Sequence, residues 1–216
     1  MNIPKLVIFD WDGTLVDSID PILTGFRQAY QQQSHPCPPD DALRATIGLP
    51  LAAAFESLSP GLPAATMVTL YREYWFDPGR PASPWAAGAL DTLAWLAAEG
   101  IKCAIATGKS RRGAEHELDL LDARDHFLTL RSADDAPAKP DPSMLFQILE
   151  ELGVPAEDTV MVGDSMLDLK MARTAQIAAY GVLGGVGSSA ELLKEKPLRV
   201  LAGVGQLPQA LSRREG

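Results

Sequence analysis

A doubly wound α/β fold, a parallel sheet with helices on both faces and an all-helical domain inserted after its first strand, is what this chain predicts. Three observations carry that expectation. From residue 84 onward, short apolar runs alternate with amphipathic stretches, the signature of successive βαβ units. Between Asp17 and Ser83 the periodicity is helical alone. Several apolar runs end in polar clusters, the place where open parallel sheets bind their ligands.

The elements follow in order. Leu6-Val7-Ile8-Phe9 is a short apolar run ending at Asp10, the pattern of a buried strand. Residues 21–33 place Ile22, Leu23, Phe26 and Tyr30 at helical spacing, and 40–47, 51–58 and 63–76 read as three more helices separated by Pro and Gly breaks. Residues 77–84, with Pro78, Gly79, Pro81 and Pro84, read as a linker. Then come a helix at 88–99 stopped by Gly100, a strand at 101–107, a helix at 111–121 and a short strand at 127–130. A helix at 143–152 stopped by Gly153, a strand at 159–163, a helix at 166–174 and a last strand at 177–182 complete the reading. The expected domains are a core of residues 1–16 and 84–216 and a cap of residues 17–83.

With 216 residues, 46% hydrophobic and 22% charged, the chain has enough apolar sequence for a substantial core. A net charge of −9 and a pI near 4.8 argue against a nucleic-acid or anionic-membrane surface. Cys37 and Cys103 show neither a pairing pattern nor metal spacing, so both are expected to be reduced. No stretch is long and apolar enough for a bilayer, and Pro4-Lys5 leading into a strand is unlike a signal peptide, so a cytoplasmic location is expected. Monomer and homodimer stay open.

Four polar clusters carry the chemistry. Asp10 and Asp12, two apart in an extended segment, face one spot while Trp11 points away. An isolated Asp-x-Asp-Gly is more simply a hairpin turn. Three further clusters shift the balance: Thr107-Gly108-Lys109-Ser110 at a strand end, Lys139-Pro140-Asp141-Pro142 before a helix, and Gly163-Asp164-Ser165 followed by Asp168. Ionised acids crowded together call for a hard divalent cation, and oxygen ligands of this kind suit Mg²⁺. The Thr107 hydroxyl, backbone N–H groups at Gly108 and Lys109, and the Lys139 ammonium suit a phosphoryl group. A nucleophile, a metal and a phosphate grip together point to phosphoryl transfer through an acyl-phosphate.

The run Asp10-Trp11-Asp12-Gly13-Thr14-Leu15-Val16-Asp17-Ser18, the Thr107-Gly108 strand end, Lys139-Pro140 and Gly163-Asp164-Ser165-x-x-Asp168 together resemble the haloacid dehalogenase superfamily. Within it the chain resembles the phosphoglycolate-phosphatase-like branch, which carries a helical cap after the first strand on a Rossmann-like core. The resemblance spans nearly the whole chain and implies a Mg²⁺-dependent phosphatase acting on a small phosphorylated metabolite, phosphoglycolate-like or a small sugar phosphate. It implies Asp10 as nucleophile, Asp12 as general acid and base, and Thr107, Gly108 and Lys139 as the phosphate grip. Asp10, Asp164 and the backbone carbonyl of Asp12 are the implied metal ligands, with Asp168 behind them. Dehalogenating relatives lack the second acid, so Asp12 argues against them. Phosphonate-cleaving relatives need a cap lysine, and residues 18–83 contain none. Thr14 leans away from the phosphosugar mutases, which remain an alternative together with a silent phospholigand-binding module.

Several polar residues have plainer readings. Asp141 and Ser110 suit helix caps, Ser165 suits either a cap or the site, and Asp17 and Ser18 suit a hinge or cap at the crossing. Lys109 resembles the end of a P-loop, but Cys103 stands where that motif needs glycine. The segment 185–190 reads as a flexible loop at the sheet edge. Trp75 reads as cap-to-core packing, and Arg44 as a solvated residue that could also meet a substrate anion. The turn Gly48-Leu49-Pro50 resembles the cap segment that reaches the active site in this branch.

Overall fold

Leu6, Val7, Ile8 and Phe9 are all buried and form β1 (Leu6–Phe9), the strand around which the sheet is laid. The computed structural model describes residues 3–212. After β1 come α1 (Ile19–Gln32), α2 (Asp40–Arg44), α3 (Leu51–Leu58), α4 (Ala64–Trp75) and α5 (Ala89–Ala98). Strand β2 (Lys102–Ala106), α6 (Arg111–Leu120), β3 (Thr129–Arg131), α7 (Ser143–Leu152) and β4 (Thr159–Gly163) follow. The chain continues through α8 (Met166–Thr174), β5 (Ala178–Val182), α9 (Ser189–Lys194), β6 (Arg199–Leu201) and α10 (Leu207–Ser212).

The strands lie in the order β3-β2-β1-β4-β5-β6, every pair parallel. Phe9 pairs with Ile105 on one side and Val162 on the other. Alternation along β1 sorts its side chains between two layers. Val7 and Phe9 pack with Leu93 of α5, Leu118 of α6 and Leu207 of α10. Leu6 and Ile8 pack with Ile148 of α7, Leu169 of α8 and Leu192 of α9. The sheet is therefore covered on both faces, and the order reverses direction between β1 and β4. A crevice opens at such a switch point, beyond the carboxyl ends of the strands.

Helices α1 to α4 sit between β1 and β2 in the chain and share an apolar cluster of their own, built on Phe26, Tyr30, Phe55, Met67, Tyr71 and Trp75. The two crossings between this cap and the sheet run side by side: Asp17 N–H donates to the Pro84 carbonyl, and Ala86 N–H to that of Leu15, each at 2.8 Å. The segment read as a linker is pinned. Arg80 is buried, donates to Glu117 of α6 at 2.6 Å, and lies over the Trp75 ring at 4.2 Å.

The structure extends the sequence reading at the sheet edge. The sheet does not end at residue 182, because β6 pairs with β5 through Tyr180 with Arg199 and Val182 with Leu201. Three residues among charged and proline neighbours give too short an apolar run to register as a strand. Helix α2 stops at Arg44 rather than 47, since Thr46 and Ile47 form turns leading to Gly48 at φ +98°. No described helix is long and apolar enough to cross a membrane.

Candidate active site

Asp10 leaves the end of β1, Asp164 the end of β4, and Asp168 the first turn of α8, so three carboxylates converge at the switch point. All three are buried, and one oxygen from each lies within 4.8 Å of the others. Lys139, equally buried, donates from one Nζ to Asp10 Oδ1 at 2.7 Å and to Asp168 Oδ1 at 2.6 Å. Asp168 Oδ2 accepts from the Ser165 hydroxyl at 2.6 Å and its N–H at 3.1 Å, the capping box that starts α8. Both oxygens of Asp168 are thus occupied by protein donors. Those of Asp164 accept from Thr14 Oγ1 at 3.0 Å and from Val186 N–H at 2.8 Å.

Three acids face one ammonium here, and the imbalance appears in the titration of Asp10 and Asp164. Burial first, and the Asp168 charge next, push Asp10 well above the usual carboxylate range. The same two causes push Asp164 up to about 7. Burial pulls the Lys139 ammonium down, but Asp10 and Asp168 more than offset it, so its pKa is raised. A buried, electron-rich oxygen cluster with surplus negative charge fits a hard divalent cation. Among the described residues, one oxygen from each of Asp10, Asp164 and Asp168 lies close enough to the others to hold one.

Asp12 stands apart from that cluster. Its Oδ1 accepts from the Ser18 hydroxyl at 2.5 Å, and Lys109 Nζ donates to Oδ1 at 2.7 Å and Oδ2 at 2.9 Å. Lys109 also lies 4.1 Å over the ring of Trp75 on α4, so one side chain joins the floor of the site to the cap. The sequence offers Lys109 as a backbone N–H donor and excludes a P-loop role, but gives its side chain no partner; its position two residues past Thr107 is the available signal. Ser18 precedes α1 but forms no cap with its side chain, and its hydroxyl serves Asp12 instead.

Thr107 is fully buried at the end of β2, its Oγ1 accepting from Lys109 N–H at 3.2 Å. Gly108 meets the cap: a Cβ there would come within 2.2 Å of the Gly48 carbonyl oxygen. The Gly48-Leu49-Pro50 turn therefore does reach the site. A cleft of about 230 Å³ opens between them, lined by Asp10, Asp12, Thr107, Gly108 and Lys109 below and by the cap above. Arg44 is not among its lining residues and pairs loosely with Asp20 at 3.4 Å, whereas the exposed Arg72 is. Trp75 lines the cleft while packing against Tyr71 at 5.7 Å.

The segment 185–190 departs most from its sequence reading. It is neither at the sheet edge nor detached: Val186 and Gly187 donate their N–H groups to Asp164, and a Cβ on Gly185 would fall 1.9 Å from Asp164 Oδ2. Glycine is needed there so that the backbone can lie against the carboxylate. The loop follows β5, which pairs directly with β4, so it leaves the sheet beside Asp164 at the end of β4.

A capped, doubly wound sheet with an acidic cluster at its switch point defines a class of α/β enzyme that works on a ligand held between core and cap. This chain belongs to the haloacid dehalogenase-like hydrolase family, whose model matches residues 7–182. It is 36% identical over 200 residues to a protein named "Probable phosphatase IndB" from Dickeya dadantii, covering 89% of this chain and 86% of that one. It is 28% identical over 210 residues to a phosphoglycolate phosphatase from Pseudomonas fluorescens, covering 93% and 77%. The crystal structure of a haloacid dehalogenase-like hydrolase from Bacteroides fragilis matches with a TM-score of 0.85 at 28% identity, over 94% of this chain and 99% of its own.

Proposed function

We infer that the protein is a Mg²⁺-dependent phosphatase that hydrolyses a small phosphate monoester in two steps through an aspartyl-phosphate on Asp10. The observation that supports this best is the pair of acids from one strand end with different partners. Asp10 lies with Lys139 among the buried carboxylates, while Asp12 lies at the cleft with Ser18 and Lys109. Two acids in two environments suit two roles.

Asp10 attacks phosphorus, the P–O bond to the leaving alcohol breaks, and Asp12 gives that oxygen its proton. Asp12 then takes a proton from water as the water attacks the acyl-phosphate. Inorganic phosphate leaves and Asp10 is regenerated, one water having been consumed. Thr107 and the N–H groups at Gly108 and Lys109 hold the phosphoryl oxygens, and Lys139 places positive charge beside Asp10. Mg²⁺, held by Asp10, Asp164 and the Asp12 carbonyl, would neutralise phosphoryl charge, with Asp168 fixing Lys139 behind them. Relatives named for phosphoglycolate support a small substrate, and a small sugar phosphate is the neighbouring class.

Phosphate release from a panel of small esters, with Mg²⁺ and with chelator, tests the reading. Steady metal-dependent release supports it. Phosphate transfer that requires a sugar bisphosphate and yields no free phosphate would replace it with a mutase.

A further inference from the structure

We propose, on the basis of that phosphatase reading, that the preferred substrate is the phosphate ester of a compact, apolar, ring-bearing alcohol, because the cap side of the cleft is built almost wholly from hydrocarbon and aromatic groups. This departs from a phosphoglycolate-like or sugar substrate.

The cleft has two unlike halves. Its floor carries Asp10, Asp12, Thr107 and Lys109, which suit the phosphoryl group. Its cap wall is formed by apolar residues such as Ile22, Phe26, Leu51, Val68, Trp75 and Phe76. The leaving alcohol points away from the phosphoryl floor and so meets this wall. The cap lining offers few polar side chains. The Thr46 hydroxyl already donates to the Leu43 carbonyl at 2.7 Å, which leaves the Tyr71 phenol and Arg72.

A carboxylate or a polyol is poorly matched to such a wall. A buried carboxylate needs a cation, and the cap's one charged side chain on the lining, Arg72, is exposed, where water competes for it. Lys109, the cation of the floor that lines the cleft, is already held by both oxygens of Asp12, and Lys139 by Asp10 and Asp168. Each sugar hydroxyl would exchange hydrogen bonds with water for hydrocarbon contact. An apolar ring loses nothing of this kind and gains dispersion and edge contacts with the aromatic side chains. A cleft of about 230 Å³ limits it to roughly one ring beyond the phosphate.

The test compares kcat/KM for benzyl phosphate, phosphoglycolate and glycerol 3-phosphate, all alkyl esters, so that leaving-group reactivity does not imitate recognition. Acetyl phosphate, whose leaving group is too small to fill the cap side, reports the floor alone. Benzyl phosphate should exceed both others by about tenfold or more. Val68→Asp should lower the ratio of kcat/KM for benzyl phosphate to that for acetyl phosphate by about tenfold. Phosphoglycolate or glycerol 3-phosphate matching benzyl phosphate would overturn the apolar assignment and leave the phosphatase reading standing. Failure to release phosphate from any of the four, acetyl phosphate included, would overturn both.

Discussion

The floor of the cleft and the cap above it are held together by different forces. On the floor, Lys139 bridges Asp10 and Asp168, Ser165 caps α8 through Asp168, and Thr14 and Val186 grip Asp164. These bonds are directional, buried and interdependent, so moving one partner strands another. In the cap, Phe26 lies 4.9 Å from Phe55 and 5.4 Å from Tyr71, and such contacts fix volume more than direction. The core can therefore keep one chemistry while the cap varies in shape. Lys109 is where the two meet, bound to Asp12 on one side and resting on Trp75 on the other.

Four measurements would sharpen or break that contrast. The largest effect belongs to Asp10→Asn, which should lower turnover by about a thousandfold or more while circular dichroism stays native. Retention of activity within tenfold would remove the floor's claim to the chemistry. Asp12→Ala should cost about a hundredfold on an alkyl phosphate and clearly less on nitrophenyl phosphate, whose leaving group needs no proton. Equal losses on both would deny Asp12 the acid role.

Gly185→Ala should be felt on the floor although it lies in a loop, because its methyl group would collide with Asp164 Oδ2. A loss of about 1–3 kcal/mol in denaturant stability, with weaker Mg²⁺ binding by calorimetry, is expected. Unchanged binding and stability would show the loop to be slack.

The smallest effect is a pH dependence. Asp164 is held at about 7 in the fold against an ordinary 3.8. A carboxyl raised in the native state favours folding below its unfolded value and loses that contribution as pH climbs through the folded one. From this group alone, the metal-free protein should lose melting temperature between about pH 4 and pH 7. Mg²⁺ binding displaces the proton, so added Mg²⁺ should raise the melting temperature more at about pH 7.5 than at about pH 5. Equal metal-induced shifts at both would mean that Asp164 does not titrate in this window.

The sequence by itself determined the alternation of strands and helices, the helical insertion, and the polar clusters at the ends of β1, β2 and β4. These are local properties. Hydrophobic periodicity and the spacing of Asp10 and Asp12 act over a few residues, so a single chain displays them directly. What only the tertiary structure decided was which side chains meet across long separations. Thr14 finds Asp164, and Lys109 finds both Asp12 and Trp75. Arg80 and Glu117 form a buried pair where the sequence offered a linker. The loop at 185–187 closes on Asp164 because β5, which it follows, lies directly beside β4, and strand order leaves no trace in local periodicity. The apolar character of the substrate wall was hidden for the same reason. Phe26, Leu51, Val68 and Trp75 lie on three different helices, and only the packing of those helices over the strand ends gathers them into one side of a cleft.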